Sequence, residues 1–103
     1  LRDGNITELA VRNLVLGVDP EERYQQEVLD LRSGDVLLLY TDGLTDAVDF
    51  QGRMFGKPRL LSALGKGGSS ARAIADNIAW ELRRYIGLAD RSDDVTLIVA
   101  RIP

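Results

Sequence analysis

At 103 residues the chain has room for one small domain or for part of a larger one. Sixteen acidic residues against thirteen basic ones leave a net charge of −3, and no basic stripe stands out to neutralise phosphates, which excludes an ordinary nucleic-acid binder. Cysteine and histidine are both absent. Disulfides, thiolate chemistry, histidine bases and the usual zinc ligands are therefore excluded together, and catalysis or metal binding must rest on carboxylates, backbone and water.

No stretch is long and apolar enough to span a bilayer and no signal peptide opens the sequence, so a cytoplasmic protein is expected, with no membrane partner. The first residue is Leu1, which reads as a piece of a longer protein. Along Leu1–Val18 the apolar residues Ile6, Leu9, Val11, Leu14 and Leu16 follow a strand's period more closely than a helix's. Gly17-Val18-Asp19-Pro20 breaks the pattern with turn chemistry. Tyr24–Leu31 is a predicted strand, with Leu29 and Leu31 on one face and Asp30 on the other.

Ser33-Gly34-Asp35 is a predicted tight turn, and Val36-Leu37-Leu38-Leu39-Tyr40 is the most apolar run in the chain. Its length and its flanking glycines predict a strand buried on both faces. A short helical turn is predicted over Leu44–Val48, and a short helix over Pro58–Leu64 with Pro58 in its first turn. Gly65-Lys66-Gly67-Gly68 reads as a flexible link between helices; its lysine precedes the glycines, so it is no phosphate-binding Walker loop. The clearest helix follows. Ser69 or Ser70 can cap it, Ala71, Ile74, Ala75, Ile78, Leu82, Tyr85 and Ile86 form its apolar stripe, and Gly87 stops it. Arg72, Glu81, Arg83 and Arg84 form its solvated face, and Trp80 is a packing residue by default or else an interface anchor. Val95–Ala100 is a second apolar, β-branched strand. The elements add up to an α+β or layered α/β chain of three or four strands, two helices and a returning strand.

Asp42 sits directly after one apolar strand and Asp93-Asp94 directly before another. If those strands are antiparallel neighbours, the acids meet at one rim of the sheet. Carboxylates on rigid elements, without histidine or cysteine, suit Mg²⁺ or Mn²⁺, and Gly43 would let the backbone pass close to a bound ion. Asp42-Gly43 also reads as a turn or helix cap, and Asp93-Asp94 as a solvated loop. Both plainer readings weaken together, because the acids end two of the most apolar strands.

The run Gly34-Asp35-Val36-Leu37-Leu38-Leu39-Tyr40-Thr41-Asp42-Gly43-Leu44-Thr45-Asp46-Ala47 resembles the strand and acidic turn of the stage II sporulation protein E type of metal-dependent (type 2C) protein phosphatases. Gly52, Phe55, Gly56, Arg59 and Leu60 resemble the segment that follows, Asp93-Asp94-Val95-Thr96-Leu97 the closing strand, and Leu16-Gly17-Val18 an upstream loop. The resemblance covers nearly the whole chain, in order. It implies part of a β-sandwich flanked by helices, mainly antiparallel, with residues 1–103 as the C-terminal portion of a single phosphatase domain. It further implies two divalent cations, Mn²⁺ or Mg²⁺, and a metal-activated water, with no catalytic side chain, that hydrolyses phosphoserine or phosphothreonine on a protein. Asp42 and Asp93 carry over as metal ligands, with Asp94 as a neighbour one register step away; Asp46 is better read as a helix-turn residue. The family's Asp-x-x-Gly-His-Gly segment is missing, since there is no histidine.

From that gap the chain alone is expected to be weak or inactive and to self-associate through uncovered sheet. The resemblance also suggests phosphorylated anti-sigma-factor antagonists as substrates and a sensor or receiver domain upstream. An aspartyl-nucleophile phosphatase is disfavoured, because Tyr40 stands where its nucleophile belongs. The competing non-enzyme reading is a pseudo-phosphatase module that binds a partner protein without turning it over.

Overall fold

A computed structural model describes residues 1–9, 17–89 and 94–103. The order of elements is β1 (Val36–Tyr40), α1 (Asp42–Thr45), α2 (Gly56–Lys66), α3 (Ala71–Ile86) and β2 (Leu97–Arg101). β1 and β2 form an antiparallel pair with Leu38 opposite Val99 and Tyr40 opposite Leu97. The architecture is α+β, with the helices on one side of a two-stranded sheet.

Alternation along the strands sorts the side chains into two faces. Leu38, Tyr40, Leu97 and Val99 pack against the core, in which Ile74, Ile78, Leu82 and Ile86 of α3 meet Leu60, Ala63 and Leu64 of α2, Leu44 of α1 and Phe55. The opposite face is open. Leu39 and Ile98 are directly paired, yet 56% and 57% exposed. β1 is therefore not buried on both faces as its unbroken apolar run suggests; that run has a second face with nothing on it among the described residues.

α3 follows its sequence pattern. Ser70 Oγ accepts from the Ala73 amide at 3.1 Å, and Gly87 ends the helix at a φ of 58°. α2 extends beyond the predicted Pro58–Leu64 and keeps Pro58 in its first turn, where the missing N–H has no helical acceptor anyway. The link between them is a close-packed corner rather than a flexible one: a Cβ on Gly67 would lie 2.9 Å from both Cα and Cγ1 of Ile74. Trp80 is not a packing residue, being 56% exposed on α3.

Tyr24–Leu31 is not a strand. It belongs to no ladder, and Val28 is 86% exposed. Its alternation supplies a face, but a strand needs a neighbour for its amides and carbonyls. Among the described residues one strand, β1, therefore precedes the helices where the sequence reading has three or four, and β2 is the returning strand. In the opening segment, Arg2 and Asn5 exchange backbone hydrogen bonds of 2.9 and 2.8 Å around Asp3-Gly4. Val11, Leu14 and Leu16 lie outside the described residues, as do residues 90–93. The turn at Asp19-Pro20 is closed by the Glu21 amide on Asp19 Oδ1 at 2.9 Å.

Candidate metal-binding rim

The sheet does what the acidic rim needs. Beyond the last ladder pair, Thr41 and Thr96 join the two strand ends: the Thr41 amide donates to the Thr96 carbonyl at 3.0 Å, and the Thr96 amide donates to Thr41 Oγ1 at 3.1 Å. Asp42 follows Thr41 immediately and Asp94 lies two residues before Thr96, so the two acidic segments leave the sheet at the same end.

Asp42 is the first residue of α1. Leu44, fully buried, pins this single turn to the core. The Leu44 amide bonds to the Thr41 carbonyl at 3.0 Å and the Asp46 amide to the Asp42 carbonyl at 2.8 Å. The Asp42 side chain is exposed, and its carboxylate makes no hydrogen bond or ion pair among the described residues. Gly43 is buried inside α1. Asp46 is the C-terminal cap of α1, which fits its reading as a helix-turn residue. Asp94 is exposed on the approach to β2, and Asp93 lies outside the described residues. Among the described residues no three acidic side chains converge on a point.

The donor set fits a hard divalent cation. Carboxylate and hydroxyl oxygens stand at this rim, and the exposed Asp42 carboxylate has no partner among the described residues. That chemistry suits Mg²⁺ or Mn²⁺ and leaves most of the coordination to water or to other groups.

Two further acids are bound where sequence reading missed them. Asp35 is buried and takes a two-pronged bond from Arg2, Nε to Oδ1 at 2.8 Å and Nη2 to Oδ2 at 2.7 Å, plus the Arg32 amide at 2.7 Å. The Arg2 hydrogen bond, and then the Arg32 amide, hold the Asp35 carboxyl far below the ordinary carboxylate range. Asp49 accepts from the Gln51 and Arg53 amides, each at 2.9 Å, and from Arg53 Nε at 3.1 Å. Its pKa is lowered, chiefly by the Arg53 amide. The spacing Asp49-x-x-Gly52-Arg53 carries a signal for this turn, since Gly52 sits at a φ of 79° with its amide on the Asp49 carbonyl. This turn folds the chain back so that Phe55 enters the core.

Comparison with known proteins agrees with this layout. The chain matches the profile of the family described as Stage II sporulation protein E (SpoIIE) over residues 1–103. It is 34% identical over 83 residues to Protein IcfG of a Synechocystis species. That alignment takes in 81% of the chain but only 13% of the relative, so the chain spans a small part of that protein's length. No solved structure matches it significantly. With its whole length matched and its acidic turns at one end of one sheet, the chain belongs to the stage II sporulation protein E family.

Proposed function

We propose that this chain is the C-terminal portion of a metal-dependent phosphatase domain that hydrolyses phosphoserine or phosphothreonine on a regulatory protein in the cytoplasm. The observation that carries the reading is the Thr41–Thr96 closure, which ties the segment bearing Asp42 to the segment bearing Asp94 in a chain of this family. Asp42 and one of the adjacent pair Asp93 and Asp94 are the proposed ligands of Mn²⁺ or Mg²⁺, with the Gly43 backbone alongside. Such a cation supplies, when bound, a water of lowered pKa and stabilisation of charge on the transferring phosphoryl group. The chain's own part is to bring the segment bearing Asp42 and the segment leading into β2 to one end of the sheet, where Thr41 and Thr96 tie them together.

Because the chain has no histidine and so lacks the family's Asp-x-x-Gly-His-Gly segment with its bridging aspartate, the reading takes a further ligand from that segment. The chain alone is then weak or inactive, and sensor or receiver domains upstream govern the intact enzyme. A phosphorylated anti-sigma-factor antagonist is the proposed substrate. The uncovered sheet face around Leu39 and Ile98 is the proposed route of self-association of the isolated chain. The same shortage of ligands favours a second reading, a partner-binding module without turnover.

Hydrolysis of a phosphoserine peptide by the longer protein separates the two. On the enzyme reading it needs Mn²⁺ or Mg²⁺, and Asp42→Asn lowers it by more than the roughly 10- to 100-fold that a supporting partner of a ligand is worth. Metal-independent turnover, or an Asp42→Asn variant as active as wild type, would contradict it. Appreciable Mn²⁺-dependent turnover of p-nitrophenyl phosphate by this chain alone would overturn the requirement for outside ligands.

A further inference from the structure

Away from the acidic rim, α2, α3 and the Asp49–Phe55 turn enclose an open groove of about 540 Å³. Its charge runs against that of the chain. Arg53, Arg59, Lys66 and Arg84 line it against only Asp49 and Glu81, a local excess of positive charge in a molecule of net charge −3. The groove is built rather than incidental. Arg59 lies over the Tyr85 ring at 4.5 Å, and its Nη1 donates to the Phe55 carbonyl at 3.0 Å. Tyr85 in turn packs edge-on against Phe55 at 5.5 Å and donates to the Arg53 carbonyl at 3.0 Å. Stacking and these bonds fix the guanidinium plane, leaving its remaining donors for an oxyanion.

The cations differ in how far the chain itself satisfies them. Arg53 is held by Asp49 at 3.1 Å. Arg84 meets Glu81 only at 3.6 Å, in an exposed pair of the kind that contributes little. Lys66 makes no ion pair among the described residues. On α3, Trp80 stands three residues after Asn77 and four before Arg84, which places it beside both on the helix surface at the groove's edge. It is an exposed aromatic that the core does not use.

We propose that this groove docks an acidic segment of a partner protein, its Asp and Glu side chains on Arg59, Lys66 and Arg84 and an apolar side chain against Trp80. The groove is open and lined by ions, unlike the enclosed apolar pockets that hold small molecules. Arginine beside an exposed tryptophan is the composition of a protein-binding hot spot. The excess of positive charge selects the acidic partner. The inference stands apart from the phosphatase reading, since it uses none of Asp42, Asp93 or Asp94.

Fluorescence anisotropy of a labelled glutamate-rich peptide with one central leucine, titrated at low salt, tests it. Saturable binding is expected, and Lys66→Glu and Arg59→Gln should each raise Kd by about five-fold or more, while Arg72→Gln, on α3 but outside the groove, leaves it unchanged. Trp80→Ala should weaken the leucine peptide and leave its alanine counterpart unaffected. Lys66 makes no ion pair among the described residues, so its variant keeps the test sound if Arg59→Gln perturbs folding. The proposal is overturned by absent saturation, by equal loss in Arg72→Gln, or by equal binding of the glutamine version of the peptide. Saturable binding of a labelled phosphoserine peptide, with no binding of the glutamate peptide, would overturn it in favour of a phosphate site.

Discussion

At the scale of single residues, Asp42 could be read from the sequence and Asp35 could not. An acid that ends a run of five apolar residues announces its place, because the run fixes the strand and the next residue must leave it. Asp35 instead depends on Arg2, thirty-three positions away, and no local pattern reports that pairing. Asp93 and Asp94 could be read from the sequence as a pair but not as individuals, since one step of register exchanges them, and Asp93 lies outside the described residues. The Asp35 contact has a pH signature. Its folded-state pKa is depressed, so the stability it adds is fully present above the unfolded value of about 3.9 and is lost as pH falls from there through the folded value. Asp35→Asn should therefore lower stability at neutral pH, and its deficit against wild type should shrink as pH falls below about 4. Urea unfolding across that range measures it; a deficit that stays constant into strong acid would show that the carboxylate charge is not what holds Arg2.

At the scale of elements, β1, β2 and α3 were legible because each satisfies its own pattern locally. β1 is bounded by turns, and α3 carries a cap, a stripe and a stop. Tyr24–Leu31 was misread because alternation states what a strand would bury, not whether a neighbouring strand exists. The α2–α3 corner was misread for a different reason. Its glycines suggest freedom, whereas Gly67 has an ordinary helical φ of −72° and is needed because Ile74 comes so close. Gly67→Ala should destabilise the fold by about 1–2 kcal/mol, overpacking outweighing the helix propensity gained. Thermal unfolding that shows no loss would mean that the corner relaxes freely.

At the scale of the whole molecule, the surface is larger than that of a typical compact monomer of this mass. The accessible area is 7953 Å², against roughly 5,800 Å² for a compact monomer of this mass. The radius of gyration is 15.6 Å, against roughly 13 Å. The excess goes with an outer sheet face bearing Leu39 and Ile98 and with the exposed stretch from Tyr24 to Leu31, which belongs to no strand. Sedimentation of the isolated chain should show self-association that Leu39→Thr with Ile98→Thr reduces, the β-branched replacements keeping strand propensity. A monomer at high concentration would contradict this. The one-sided core was not legible, because an apolar strand reads the same whether its second face is covered or bare.

Asp42 and one of the Asp93-Asp94 pair are proposed to share one cation site at the rim closed by Thr41 and Thr96. Calorimetric titration of the chain with Mn²⁺, beside Asp42→Asn, Asp93→Asn and Asp94→Asn and with circular dichroism to confirm folding, tests it most directly. Saturable binding is expected, abolished by Asp42→Asn and by one of the other two substitutions. Binding that survives Asp42→Asn would contradict it, as would a well-folded chain that takes up no Mn²⁺ even in the longer protein that carries the Asp-x-x-Gly-His-Gly segment.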